Sequence, residues 1–291
     1  MLNRDQQQVV EGGSIAQQAG RDIVNVQQGV SVAEVTVLFD FLWKNNFPVV
    51  IEEARRIAQE NVRAFAAEFS RQLEGRQHLI DVKKFADPDV QATISDAVKA
   101  SARRGEAANP VVLASLVAER LSADADNYME IVFSESVLVV PRLTPAQISL
   151  LSLVIFVSNM KFVEGLRWED IERVSEVVLP LFEPAFGMPS SQKRHILYAG
   201  AAMVLSKNDV HMGVNLYQTK AADYNHLCNG VPFSVAVHQH APSYAKILDQ
   251  YIKDKLQMVT LNSVGQAIAL ANLSRCIYKL DYGSWLNLDD V

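Results

Sequence analysis

Cysteine is scarce in this chain of 291 residues, which contains only Cys228 and Cys276. Two cysteines are too few for the disulfide framework that stabilises small secreted domains. The first residues, MLNRDQQQVVEGG, also lack the apolar segment of a secretory signal peptide. Both absences predict a protein of the reducing cytoplasm.

Long apolar runs are missing as well. The longest, Ile148–Met160, contains three serines and falls short of the ~20 residues that a membrane-spanning helix needs, so it is interpreted as a buried core helix. Basic residues do not predominate, because 27 Lys and Arg stand against 33 Asp and Glu, for a net charge of −6. Nucleic-acid binding usually leaves a basic footprint, so nucleic acid is not an expected partner.

Hydrophobic residues are abundant at 49% of the chain, which is enough for a sizeable core. Helical spacing of the apolar residues predicts a mainly α fold, a multi-helix bundle with a short N-terminal β strand-turn-strand segment. The charged run Arg103–Glu106 is the candidate for a soft domain boundary. We predict a polar and β segment over residues 1–30, a helical region with a long helix over 31–105, a helical core domain over 106–280 and a tail over 281–291.

Three consecutive helices between Asn109 and Met160 are expected to form the centre of the fold. Asn109-Pro110 and Thr144-Pro145 each place a capping residue before a proline, which is a typical helix start. The third helix is apolar almost all round, so it should lie in the middle. The residues predicted to pack the core are Leu116, Leu150, Leu151, Val154 and Gly265.

Local rules also predict details elsewhere in the chain. The residue before a proline is disfavoured in a helix, so one helix is expected over Val32–Asn45 and a second over Pro48–Glu74. Residues 206–242, with several glycines and prolines, are interpreted as the least regular part. One buried stripe of the middle central helix is expected to contain Tyr128, Ile131, Val132, Leu138 and Val139.

The segment Gly13–Gly29, GSIAQQAGRDIVNVQQG, alternates in the manner of a strand, a turn at Gly20 and a second strand. A two-stranded unit this short is not stable alone. It is therefore expected either to stay a flexible tail, to pack on its own domain, or to stack with copies from other chains through amide ladders. The residues assigned to self-association are Ile15, Gln17, Gln18, Gly20, Asp22, Ile23 and Asn25.

Catalytic motifs are not evident in the sequence. It contains no glycine-rich phosphate loop, no Ser-His-Asp order and no HExxH motif, so a non-enzymatic protein without a cofactor is favoured. One alternative is a tetrahedral zinc site in residues 206–242. Its four candidate ligands form an H-x-C pair and an H-x-H pair, which would each point to one side of an extended backbone. They are His226, Cys228, His238 and His240.

Two patches carry a family resemblance. The segment LVAERLSADADNYMEIVFSESVLVVPRLTPAQISLLSLV is similar to the central segment of bacterial Abi-alpha-like proteins, which are associated with abortive infection and phage defence, and LNSVGQAIALANLSRC resembles their C-terminal Leu-Thr-x-x-Gly helix. Asn262 stands where threonine is usual, and Asn also caps helices. The closer resemblance is to an uncharacterised bacterial family with a Gln-x-Gly-x-Asp-Ile motif, here Gln18–Ile23.

The resemblance implies a cytoplasmic helical protein of phage defence that assembles through its N-terminus, and it transfers no catalytic residue. The favoured hypothesis is therefore a non-enzymatic homo-oligomer whose helical body binds a protein partner. The alternatives are a metal-binding or enzymatic protein that uses residues 206–242, and an effector whose helices between residues 131 and 160 disrupt membranes after a trigger.

Overall fold

The computed structural model describes residues 32–162, 165–204, 216–277, 280 and 282. Within these residues the chain forms eleven α-helices and one two-stranded antiparallel sheet. The predicted mainly α fold is therefore confirmed. The predicted N-terminal strand-turn-strand segment lies outside the described residues. Among the described helices, none combines the length and the apolar character that a membrane crossing requires.

The helices are short, apart from the first, and 3₁₀ turns join several of them. They are α1 Val32–Gly75, α2 Pro88–Arg104, α3 Pro110–Arg120, α4 Asn127–Val139, α5 Pro145–Ser158, α6 Trp168–Phe182, α7 Ser190–Ala199, α8 Leu216–Tyr224, α9 Phe233–His240, α10 Pro242–Lys253 and α11 Ser263–Leu273. The strands are β1 Ala202–Val204 and β2 Val259–Leu261, and their register pairs Met203 with Thr260.

The chain divides into two compact units, residues 1–53 and residues 54–291. The described part of the first unit is the beginning of α1. The second unit contains Gly105 together with α2 and α3, which contact each other. Both sides of the sequence-predicted boundary near Gly105 therefore belong to one unit, because α2 packs on the helices that follow it.

Helix α1 differs from its prediction. It continues from Val32 to Gly75 without a break at Pro48, whereas the sequence predicts two helices there. A proline inside a helix removes one hydrogen-bond donor and crowds the preceding turn, which favours a helix end without enforcing one. The prediction of a boundary at this proline was wrong.

Helix α5 is the centre of the second unit. Thr144 and Gln147 form a reciprocal capping box at its start, and Pro145 occupies its first turn. The eleven consecutive residues from Gln147 to Val157 are all buried. A helix that is apolar all round must be covered on every side, and α11, α6 and α10 are among the helices that pack against α5.

Helix α11 is the closest neighbour of α5, and its small residues permit that approach. Two polar side chains at the contact bond each other, since the Asn272 amide donates to the Ser152 hydroxyl at 2.9 Å. The Ser152 hydroxyl in turn donates to the Ile148 carbonyl at 3.1 Å, so the buried group is satisfied. The residues assigned to core packing, Leu116, Leu150, Leu151, Val154 and Gly265, are all buried in this structure.

Three other features differ from the sequence predictions. In α4, Val132 and Val139 are buried, but Tyr128, Ile131 and Leu138 are about half exposed, so the predicted single stripe is split between two faces. The region 206–242 contains the helices α8 and α9 where irregular structure was expected. The small sheet of β1 and β2 was not predicted at all.

Candidate functional site

The four candidate zinc ligands do not meet in one site. Asn225–Leu227 is a 3₁₀ turn and α9 carries both histidines of the second pair, so the extended backbone that the H-x-C and H-x-H spacing requires is absent there. Residues two apart on a helix point in different directions. Within the described ranges, no three His, Cys, Asp or Glu side chains are grouped closely enough to hold a metal ion.

Each of these four residues has separate surroundings. The buried thiol of Cys228 donates to the Tyr224 carbonyl at 3.4 Å, and burial raises its pKa, which keeps it a thiol. His240 stacks on Trp168 with a centroid distance of 6.2 Å. His226 is an exposed residue of the 3₁₀ turn. Only His238 takes part in a polar cluster.

His238 joins α9 to α8 and α10. Its Nδ1 donates to the Ser234 carbonyl at 2.6 Å and its Nε2 lies 3.0 Å from the carboxylate of Asp249. Tyr217 donates to the other oxygen of the same carboxylate at 2.6 Å. Both ring nitrogens therefore face acceptors, an arrangement that suits the protonated imidazole. The hydrogen bond to Asp249, followed by the one to Ser234, raises the pKa of His238.

This cluster predicts a small dependence of stability on pH. Because folding raises the pKa of His238, its stabilisation is complete below the unfolded value of about 6.5 and is lost as the pH rises through the folded value. His238 and Asp249 are each about half exposed, so we expect a loss of under about 1 kcal/mol in unfolding free energy. Denaturant unfolding across this pH window measures it.

An Asp249→Asn variant is the control for this prediction. It removes the carboxylate that holds the proton on His238, so the loss of stability with rising pH should shrink. The imidazole signals of His238 in an NMR titration give an independent reading. A midpoint at or below about 6.5 in the natural chain would contradict the prediction.

A buried amine lies in the same region. Lys220 of α8 is 3% exposed, and burial lowers its pKa against the opposing effect of Asp223. The carboxylate of Asp223 itself pairs with Lys161 at 3.0 Å. Buried lysines with a lowered pKa act as nucleophiles in some enzymes. The enzymatic alternative for residues 206–242 therefore has a definite residue to test.

The first unit presents a different kind of surface. Five large apolar side chains of α1 are between 49% and 70% exposed, although residues of this type usually lie in a core. They are Val37, Phe41, Val49, Val50 and Ile51. A helix gains most of its stability in water by packing an apolar face, and it is marginal when nothing covers it. The described part of this unit therefore offers exposed apolar side chains for association, with Val37 and Phe41 one turn apart on the same face.

The residues assigned to self-association, Ile15, Gln17, Gln18, Gly20, Asp22, Ile23 and Asn25, lie outside the described residues. Sequence reasoning did not identify Tyr217 and Asp249 as partners of His238. Tyr217 and Asp249 are 32 positions apart, and a contact over that separation leaves no periodic or motif signal.

A protein-family model matches residues 29–234 and 212–286, which together span most of the chain. Comparisons with curated proteins and with solved structures returned no match. The matched region contains α1 to α11 and begins after most of the Gly13–Gly29 segment.

Proposed function

The chain belongs to the protein family whose model matches residues 29–234 and 212–286, and we propose that it is a non-enzymatic helical protein that works by self-association. The observation that carries this proposal is the exposed apolar surface of α1 within the first unit, at Val37, Phe41, Val49, Val50 and Ile51. The partner that covers these exposed residues is a second copy of the same chain.

A second copy suits this surface for two reasons. It carries the same exposed apolar residues, so an isologous contact would cover those residues on both chains at once. The Gly13–Gly29 segment, with alternating β-branched and amide side chains, precedes the same helix and adds a second route for pairing between chains. The family match begins at residue 29, where this segment ends.

We further propose that this assembly serves bacterial phage defence in the cytoplasm and engages a protein partner through the helical body. The resemblance of residues 116–154 and 261–276 to Abi-alpha-like proteins supports this biological setting. Membrane disruption by residues 131–160 is less well supported, because α5 is buried over Gln147–Val157 and would first have to leave the core.

Charge introduced on the α1 surface should dissociate the assembly. We expect the natural chain to sediment as more than a monomer and a Val37→Asp, Phe41→Asp double variant to sediment as a monomer, because a buried unpaired carboxylate is costly. Tyr198→Asp is the matched control, since Tyr198 is exposed on α7 and lies outside the proposed surface. Analytical ultracentrifugation over a range of concentrations measures the result.

A monomeric natural chain at every concentration would overturn self-association. An unchanged assembly in the double variant would remove α1 from the contact. A separate Ile15→Asp, Ile23→Asp variant tests the strand segment, which should also weaken the assembly if the two routes act together. Release of dye from vesicles by the natural chain, without assembly in solution, would favour the membrane alternative.

A further inference from the structure

A cavity of about 700 Å³ lies in the second unit. Its wall is formed by the end of α1 and the turn after it, by α3, by the turn that follows α3, by the start of α4 and by the residues after α11. Sites for small molecules usually have volumes between roughly 300 and 1,000 Å³. The cavity therefore has the size of a ligand site, and none of the residues predicted from the sequence to be functional lines it.

The lining combines apolar residues with cationic, acidic and neutral polar groups. The apolar part consists of Leu79, Val111, Ala125, Met129, Ile277 and Leu280. The guanidinium groups belong to Arg71, Arg76 and Arg275. The acidic residues of the lining are Glu119 and Asp124. A site for a small organic molecule usually joins apolar side chains to a few placed polar groups.

Two of the three guanidinium groups are already paired with carboxylates. Arg71 donates to both carboxylate oxygens of Glu68, at 2.8 and 2.5 Å. Arg76 lies 2.9 Å from a carboxylate oxygen of Glu119 and also bonds Ser115. These pairs fix the side chains in place and balance their charges.

Arg275 differs from the other two. Its guanidinium donates to the neutral side-chain oxygen of Asn272 at 3.3 Å. Its charge acts on Glu68 from a distance, but no carboxylate of the described ranges forms a salt bridge with it. Asn272 is itself held by Ser152 in the core, at 2.9 Å. Asn272 thus fixes the position of the Arg275 side chain, and the planar guanidinium remains available to bind an anion through two hydrogen bonds.

The hydroxyl of Tyr282 provides a second and independent indication. Tyr282 lines the cavity and is 4% exposed. Its hydroxyl lies near Ser115 and Ser274 but has no partner at hydrogen-bond geometry. A buried polar group without a partner is costly, so an occupant that supplies an acceptor would be stabilised there.

The hydroxyl of Tyr282 is held in place and stays protonated, so it can act as a hydrogen-bond donor. Its ring packs edge-on against Phe133 with a centroid distance of 5.5 Å, which restricts its motion. Burial, followed by the charge of Glu119, raises the pKa of Tyr282, so the hydroxyl keeps its proton at neutral pH. It can therefore donate a hydrogen bond to an anion.

We propose that this cavity binds a small carboxylic acid with an apolar body, whose carboxylate is held by Arg275 and the Tyr282 hydroxyl. Arg275 forms no salt bridge within the described ranges, unlike Arg71 and Arg76, so its guanidinium can pair with one carboxylate. The apolar wall then accommodates the hydrocarbon part, whose transfer from water supplies the remaining affinity. The site lies outside the first unit, so this proposal does not depend on self-association.

The test is calorimetric titration of the full chain with phenylbutyrate, with phenylbutanol as the uncharged counterpart and inorganic phosphate as the anion without an apolar body. We expect saturable binding of phenylbutyrate and binding of phenylbutanol that is at least roughly tenfold weaker, because charge-assisted hydrogen bonds are the strong ones. Binding of phosphate as tight as that of phenylbutyrate would overturn the proposed ligand class, and no saturable binding of phenylbutyrate would overturn the site.

Variants assign the roles. Arg275→Gln should weaken phenylbutyrate binding roughly ten- to a hundredfold, and Arg275→Lys should weaken it less. Tyr282→Phe should weaken it roughly three- to tenfold while leaving the empty protein as stable as before or more so, because its hydroxyl has no partner to lose. Arg173→Gln on α6 is the control and should bind as the natural chain does, since Arg173 is exposed and lies outside the cavity.

Thermal unfolding of each variant separates a binding defect from a folding defect. A purely structural role of Tyr282 would lower the unfolding temperature of Tyr282→Phe together with its affinity, and this would remove the hydroxyl from the proposed site. Affinity of Arg275→Gln equal to that of the natural chain would overturn the assignment of Arg275.

Discussion

Replacement of Gly265 by alanine is expected to destabilise the second unit by about 3 kcal/mol or more, at or above the upper end of the range for overpacked cores. An added Cβ would lie 1.8 Å from the Ala201 carbonyl oxygen and 2.9 Å from the carbonyl carbon. Both neighbours are backbone atoms, so no side chain can rotate away. Either α11 or the segment before β1 would have to shift.

The surroundings of Gly265 make such a shift expensive. The backbone amide of Gly265 donates to the side-chain oxygen of Asn262 at 2.9 Å, and the side-chain nitrogen of Asn262 donates to the Gly200 carbonyl at 2.7 Å. The start of α11 is therefore tied to the turn that it contacts. Movement away from Ala201 would break this connection at the N-terminus of a buried helix.

Gly75→Ala is the matched control, because an added Cβ at Gly75 has no atom within 4 Å. Alanine is favoured over glycine in helices, so this change should leave stability unchanged or raise it by up to about 1 kcal/mol. Denaturant unfolding of the two variants and the natural chain gives the difference directly. A loss of under 1 kcal/mol in Gly265→Ala would show that the contact relaxes easily.

The central helices could be predicted because their signals are local. The Thr-Pro-x-Gln sequence at residues 144–147 indicates the start of α5, and apolar residues on almost every side of the helix indicate its burial. Helix α2 likewise begins at Pro88 after the capping residue Asp87, and helix α6 has Glu169 and Asp170 in its first turn. A capping residue and a periodic apolar face need no information from the rest of the chain.

Features that depend on distant contacts could not be predicted in this way. β1 and β2 have three residues each, which is too short for a periodic signal. They pair across an intervening stretch that includes three helices. α4 is apolar on two faces, so its sequence does not say which one the core covers. The cavity is lined by residues that lie far apart in the sequence, from Arg71 to Tyr282. No single segment therefore contains a motif that would predict it.

Replacement of the buried Arg120 by methionine is expected to cost about 3 kcal/mol of unfolding free energy, at the lower end of the range for breaking a buried ion pair. The side chain is 3% exposed and lies 3.1 Å from Asp89 and 3.0 Å from Glu130, with Asp87 at 3.6 Å. It connects the end of α3 to the first turn of α2 and to α4. Its loss would leave these carboxylates without their shared cation.

Three features keep the expected cost below the upper end of that range. The carboxylates of Asp87 and Asp89 are 43% and 62% exposed, so water can solvate them after the change. Glu130 keeps Lys84 as a partner at 2.7 Å. Arg120 also has nitrogens without a partner at hydrogen-bond geometry, which reduces what the natural interaction contributes.

Arg173→Ala is the control for an exposed arginine. Arg173 is 72% exposed and lies 3.7 Å from Asp170, so its removal should cost under about 0.5 kcal/mol and the effect should fall with salt. Arg120→Lys should lie between the two, because lysine keeps the charge but contacts one acid at a time. Urea unfolding at low and high salt compares all three variants.

The role of the shared cation is isolated by a double-mutant cycle between Arg120→Met and Glu130→Gln. We expect a coupling energy of about 1 kcal/mol or more, since the two side chains are in contact within one charged network. Unchanged or increased stability in Arg120→Met would mean that the interaction only balances the cost of removing the guanidinium from water. In that case apolar contacts would hold α2, α3 and α4 together. Arg120 would only set the relative position of these helices, by pairing the end of α3 with the acidic side chains at the starts of α2 and α4.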